Sequence, residues 1–169
     1  MGLDTLQSFL ERGGPVLIVI MLATFIMWGL ILERLFYFRL AHKDVANKAI
    51  EEWRSRSDRK STYAHWVRDK LVSEVRAKAE ANVQLTKAMV ALAPLLGLLG
   101  TVTGMVTVFD VLALTDGADA KAMAAGVSRA TIPTMAGMVA SITGIPFASG
   151  MTRKVNRLVQ SVEDDMEIG

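Results

Sequence analysis

Residues 88–109 read AMVALAPLLGLLGTVTGMVTVF, twenty-two positions without a charge. At about 1.5 Å of rise per residue, such a run is long enough to cross a hydrocarbon layer of roughly 30 Å. Its centre, Gly97-Leu98-Leu99-Gly100-Thr101-Val102-Thr103-Gly104, departs from the oily composition of a simple anchor. Glycines let helix backbones approach closely, and hydroxyls can hold water inside a dry bundle. The stretch reads as a spanning helix built to pack tightly or to line a wet path.

Two further runs, 13–32 and 130–152, carry no Asp, Glu, Lys or Arg. The chain has 169 residues, 51% of them hydrophobic, and a net charge of +2, but its charges are segregated between these runs. A helix on the surface of a soluble bundle shows a polar face at a 3.6-residue period, and these runs show none wide enough to meet water. The expected fold is an all-α integral membrane protein with three transmembrane helices at 15–38, 87–114 and 123–150. A surface segment at 1–14, a helical loop at 39–86, a short loop at 115–122 and a tail at 151–169 complete the expected organisation. Without cysteine, disulfides and thiolate metal sites are excluded. Asp4 and Glu11 precede the first run, which is also long for a leader, so it is expected to be retained.

Charge sets the expected orientation. Glu33 to Lys87 holds thirteen of the nineteen basic residues, and the tail adds Arg153, Lys154 and Arg157. Only Arg12, Lys121 and Arg129 lie elsewhere. By the positive-inside rule the loop and carboxyl tail face the cytoplasm and the amino terminus faces out.

The connecting segments carry their own patterns. Leu3, Leu6, Phe9 and Leu10 fall on one side of a helix, with Asp4, Gln7 and Glu11 largely opposite, the mark of an amphipathic surface helix. Gly13-Gly14-Pro15 then allows a turn into the first span. In the loop, Val45, Ala49 and Trp53 form one stripe; Val67, Leu71, Val75, Ala79 and Val83 form another, expected to run into the second span without a breaker. Ser57, Asp58 and Ser61 mark the turn between them. These helices are expected to extend the spans into a cytoplasmic bundle. Thr115-Asp116-Gly117-Ala118-Asp119 is a tight external turn that makes the second and third spans antiparallel neighbours.

For that packing the third span offers Ala136, Ala140, Gly144 and Ala148 at four-residue spacing, with Gly137 alongside. The second offers Gly97 and the Gly100/Gly104 pair. Hydroxyls come from Thr101, Thr103 and Thr107, and from Ser128, Thr131, Thr134 and Ser141. Thr101, Thr134, Thr103, Thr131 and Ser141 are the candidate pore-lining residues. The alternative is that these hydroxyls bond back to carbonyls one turn earlier, as in many spanning helices.

The missing group is equally informative. A proton relay needs an intramembrane carboxylate or histidine. The second span has neither before Asp110, the third has neither, and His42 and His65 lie in the loop. Any conducted proton therefore requires an acid from another chain. Glu33 and Arg34 read as a charged pair at the headgroup boundary. Arg129 either snorkels outward or pairs with Asp110 or with a partner's acid. No Ser/His set, paired acids or metal-ligand cluster lies within the spans, so neither an enzyme, a cofactor nor a metal is expected.

These residues resemble the ExbB/TolQ/MotA proton-channel family, in its ExbB/TolQ branch. The resemblance rests on Glu33-Arg34, on Ala93 to Gly104 with its Gly-Leu-x-Gly-Thr-Val-x-Gly string, and on Thr134, Gly137, Ala140 and Ile142. It implies a homopentamer around a dimer of a single-span ExbD-like protein whose membrane aspartate accepts the proton. It further implies a complex in the bacterial inner membrane that energises a TonB-like protein for outer-membrane transport, with Thr101 and Thr134 matching the pore threonines. Two positions depart: Arg129 stands where the family commonly has glutamate, and Thr143 where a proline is usual, with Pro146 three residues later. A TolQ-like subunit serving envelope integrity, or a non-conducting scaffold for partner membrane proteins, are the alternatives. No nucleic-acid partner is expected.

Overall fold

A computed structural model of the chain describes residues 2–114 and 120–166, with side chains from Gly14 onward. The faces expected of Leu3, Leu6, Phe9 and Leu10, and the Thr115–Asp119 turn, lie outside the described residues. The elements run α1 (Gly2–Phe36), a π-helical turn (Tyr37–Ala41), α2 (His42–Arg54), α3 (Thr62–Glu80), α4 (Val83–Leu114) and α5 (Ala120–Asp165). Three helical stretches, Gly14–Arg54, Thr62–Leu114 and Ala120–Asp165, are long and apolar enough to cross a membrane. At 46 residues, α5 extends for about 69 Å, more than twice a hydrocarbon core of roughly 30 Å. The chain divides into two compact units, Met1–Trp28 with Lys87–Ile145, and Gly29–Thr86 with Pro146–Gly169.

In the first unit α1 is interrupted at Gly14, whose φ of 66° and ψ of −171° lie outside the helix. A positive φ is open to glycine at little cost, and the extended ψ is what a following proline demands. Leu17, Ile20 and Met27 then bury one stripe of α1, while Phe25 stays 80% exposed. Between α4 and α5 small residues meet at matched heights. Gly104 faces Ala130, Gly126 faces Val108, Gly137 faces the Ala93 carbonyl and Gly144 faces Val90. Partners that descend on one helix as they climb on the other make the two spans antiparallel neighbours.

The second unit has a conventional apolar core. Ala49 and Trp53 of α2, Leu71, Val72, Val75 and Ala79 of α3, and Met151, Val155, Val159, Val162 and Met166 are all under 10% exposed. The turn before α3 is built by Asp58, whose Oδ1 accepts from the amides of Lys60 (3.2 Å) and Ser61 (3.1 Å). Ser61 Oγ caps α3 by accepting from the Ala64 amide at 3.1 Å. Arg68 closes the far end of α5, donating from Nε to the Met166 carbonyl and from Nη2 to the Glu163 carbonyl, both at 2.8 Å. A cation on helix-terminal carbonyls satisfies both their bonding and the helix dipole.

One expectation needs correction. The stripe Leu71, Val75, Ala79 and Val83 is buried, but the helix does not run unbroken into the second span. Ala81 is extended (ψ 138°) and Asn82 is left-handed (φ 59°). Asparagine tolerates that region better than most residues. Its side chain is held by a bond from Nδ2 to Glu33 Oε2 at 3.2 Å, and its carbonyl accepts from Thr86 N and Oγ1.

Candidate functional site

Within the first unit the two glycine-rich spans bring Thr101 and Thr134 together. Gly97 is the reason they can meet: a Cβ there would stand 2.9 Å from the Thr134 Cα. At Gly100 a Cβ would fall 2.3 Å from Pro133 Cβ. Backbones held this close leave the two threonine hydroxyls hydrogen-bonded to each other. Thr134 Oγ1 also donates to the Gly97 carbonyl across the interface at 2.9 Å, and Thr101 Oγ1 lies 3.4 Å from the same oxygen. Two hydroxyls and one carbonyl thus form a polar spot near the middle of the uncharged run 88–109. Each hydroxyl can donate once and accept twice, so the pair retains capacity for water or a partner's carboxyl group.

The other candidate lining residues are placed differently. Thr103 is exposed and bonds back to Leu99 (2.9 Å) and Gly100 (3.1 Å), and Thr131 bonds back to Ser128 at 2.8 Å. Thr107 likewise donates to Thr103 at 3.1 Å. Ser141 is 7% exposed. The structure therefore joins Thr101 to Thr134 across helices and leaves Thr103 and Thr131 bonded within their own.

Among the candidate packing residues, Gly97, Gly100, Gly104, Gly137 and Gly144 all abut the opposing surface closely. Ala140 is 5% exposed, whereas Ala136 is half-buried on the flank. A strict four-residue row drifts around a helix of 3.6 residues per turn. The row that packs is Gly126, Ala130, Pro133, Gly137, Ala140, Gly144 and Ala148, alternating mostly between four and three. Gly126, Ala130 and Pro133 were not among the expected packing residues; tracing that spacing recovers them.

Arg129 and Asp110 are both exposed and form no ion pair with each other. Register explains why. Gly104 lies opposite Ala130 and Val108 opposite Gly126, so Asp110 stands more than a turn beyond the level of Arg129.

In the second unit Glu33 and Arg34 form a bidentate pair, Nε to Oε2 and Nη2 to Oε1, both at 2.7 Å. Arg34 is 5% exposed, donates from Nη1 to the Lys78 carbonyl at 3.0 Å, and lies 4.6 Å from the Tyr37 ring centroid. The pair therefore ties α1 to the end of α3 and, through Asn82, to the break before α4. The adjoining π-helical turn buries Phe38, and His42 beyond it is 5% exposed with Lys154 Nζ 5.3 Å from the Phe38 ring. No cluster of metal-ligating side chains occurs among the described residues.

A sequence profile described as the MotA/TolQ/ExbB proton channel family matches residues 39–164, three-quarters of the chain. The chain belongs to that family. A Synechocystis sp. protein provisionally named biopolymer transport protein ExbB-like 1 is 44% identical over 69 residues, 39% of this chain and 27% of its own length. A second from the same organism, provisionally named ExbB-like 3, is 36% identical over 67 residues, 38% of this chain and 32% of its own length. The match spans a third or less of either relative. For a MotA/TolQ/ExbB member the threonine pair is the polar feature that bridges two charge-free spans.

Proposed function

We propose that this chain is the wall subunit of an ExbB–ExbD-like proton-conducting motor in a bacterial inner membrane. The observation that carries the reading is the Thr101–Thr134 pair bridging two spans that hold no carboxylate between positions 88 and 109 or 130 and 152. Such a wall hydrates a path but cannot itself accept a proton. The titrating acid comes from a single-span partner, around which several copies of this chain, five by resemblance, close a ring. The loop and carboxyl tail face the cytoplasm, as sixteen of nineteen basic residues favour. Each proton crossing 100 mV releases about 2.3 kcal/mol, the size of a typical coupling between sites, so a few protons suffice per stroke. A TonB-like protein acting in outer-membrane transport receives that work; a TolA-like recipient is the variant reading.

Thr101→Val with Thr134→Val removes both hydroxyls at nearly constant volume. Gly97 keeps its own helical hydrogen bond, so the complex should assemble. Proton flux in liposomes holding the chain and its partner is expected to fall at least tenfold. Full flux in the double variant would remove the pore assignment. The back-bonded Thr103, Thr107 and Thr131 favour a second reading, a scaffold that conducts nothing. An intact wild-type complex that stays silent under an imposed potential would select it.

A further inference from the structure

The first unit contains a slot of about 680 Å³ bounded by α1, α4 and α5. Its lining runs from Gly100 to Leu112 on α4 and from Ala122 to Pro133 on α5, with Pro15 and Val16 on the third side. At 1.5 Å per residue those stretches are about 18 and 16 Å long.

The walls are apolar in effect. Thr103 and Thr107 line the slot, but their hydroxyls are spent on carbonyls of their own helix. The exception is Arg129, which also lines a smaller adjoining cavity with Ala125, Ser128 and Ile132. Its guanidinium is exposed and makes no ion pair or hydrogen bond among the described residues. It stands one residue ahead of the charge-free run 130–152, where an arginine reaches from the edge of the hydrocarbon toward the headgroups.

We infer that the slot holds one acyl chain of a phospholipid whose phosphate pairs with Arg129. The apolar walls match an acyl chain, and the exposed Arg129 matches a phosphate. A soluble anion would satisfy the arginine and leave the slot unfilled; a bare hydrocarbon would do the reverse.

The full-length chain, purified in a non-ionic detergent, is titrated with dioleoyl phosphatidylglycerol or with dioleoylglycerol and read by native mass spectrometry. Phosphatidylglycerol is expected to stay bound and dioleoylglycerol to be lost. Arg129→Gln is expected to lower phosphatidylglycerol retention about tenfold, the factor that 1.4 kcal/mol sets. Arg129→Lys keeps most of it, which separates lost charge from misfolding, and Ala125→Trp loses it by filling the slot. Unchanged retention in Arg129→Gln, or equal retention of dioleoylglycerol by the wild type, overturns the proposal. So does disulfide crosslinking of Ala125→Cys to a second copy in native membranes, which would put protein in the slot; the chain has no other cysteine.

Discussion

A methyl group on Gly137 would stand 2.4 Å from the Ala93 carbonyl oxygen and 3.1 Å from the Gly97 Cα. Both neighbours are backbone, so neither can swing aside. Gly137→Ala is expected to cost about 1–3 kcal/mol, the range for overpacking, and to lower the melting temperature in detergent. Gly150 has open space around its Cβ position, so Gly150→Ala should be neutral or gain roughly 0.5–1 kcal/mol from helix propensity. A matched loss in both variants would show that the contact at 137 is not what matters. The Arg34 fork sets a second contrast. Arg34→Met leaves Glu33 and the Lys78 carbonyl without a charged donor, a loss of about 1.5–3 kcal/mol, and Arg34→Lys cannot reproduce the bidentate geometry. Equal thermal stability of wild type and Arg34→Lys would deny the fork its role. Gly97, Gly100 and Gly104 were legible because three glycines in an oily run have few other uses. Arg34's partners were not, since Lys78 and Asn82 lie more than forty residues from the pair they serve.

Helices begin and end where local chemistry competes with tertiary contacts. The Ser61 cap and the Asp58 turn are readable because Asp and Ser bond their neighbours' amides within three residues. Asp58's carboxyl is held below the ordinary carboxylate range, chiefly by the Ser61 hydroxyl and then by the amides of Ser61 and Lys60. The folded state thus favours the charged form, so its contribution is complete above the unfolded pKa and fades as pH falls through the lowered one. Protection of the Ala64 amide, relative to its intrinsic exchange rate, is expected to fall as the solution is acidified below about pH 4, and Asp58→Asn should remove that pH dependence of protection. A pH response that persists in Asp58→Asn would assign it elsewhere. The break at Asn82 was hidden for the opposite reason: the apolar stripe crosses it in register, and the distant Glu33 holds the side chain. Asn82→Gly keeps the left-handed backbone and should be mild. Asn82→Val forces a β-branched residue into that region and should cost more. A reversal of that order would mean that the Glu33 bond, rather than the backbone, fixes the break. Register also decided the Arg129–Asp110 question, since an antiparallel offset cannot be read from one helix at a time.

At the scale of the molecule, segregated charge announced the three spans, and no local detail was required. Orientation has a direct measurement, because the chain contains no cysteine to confuse labelling. Ala118→Cys should react with an impermeant maleimide in intact cells, and Arg59→Cys should react only after permeabilisation. The reverse pattern would invert every assignment of inside and outside made from lysine and arginine. Broad apolar surface remains at Phe25, Leu95, Val139 and Ile142, each at least 60% exposed, which suits lipid or neighbouring spans. The matched heights of Val90 with Gly144 and Val108 with Gly126 run for 18 residues along α4, about 27 Å. Small residues seated against single opposing groups at successive turns behave as the teeth of a rack. Such a pair cannot creep; it holds, or it jumps a full turn of 5.4 Å and loses every tooth at once. In the motor proposed above, work extracted from a passing ion would therefore move this hairpin whole, with the slip at its borders with other chains.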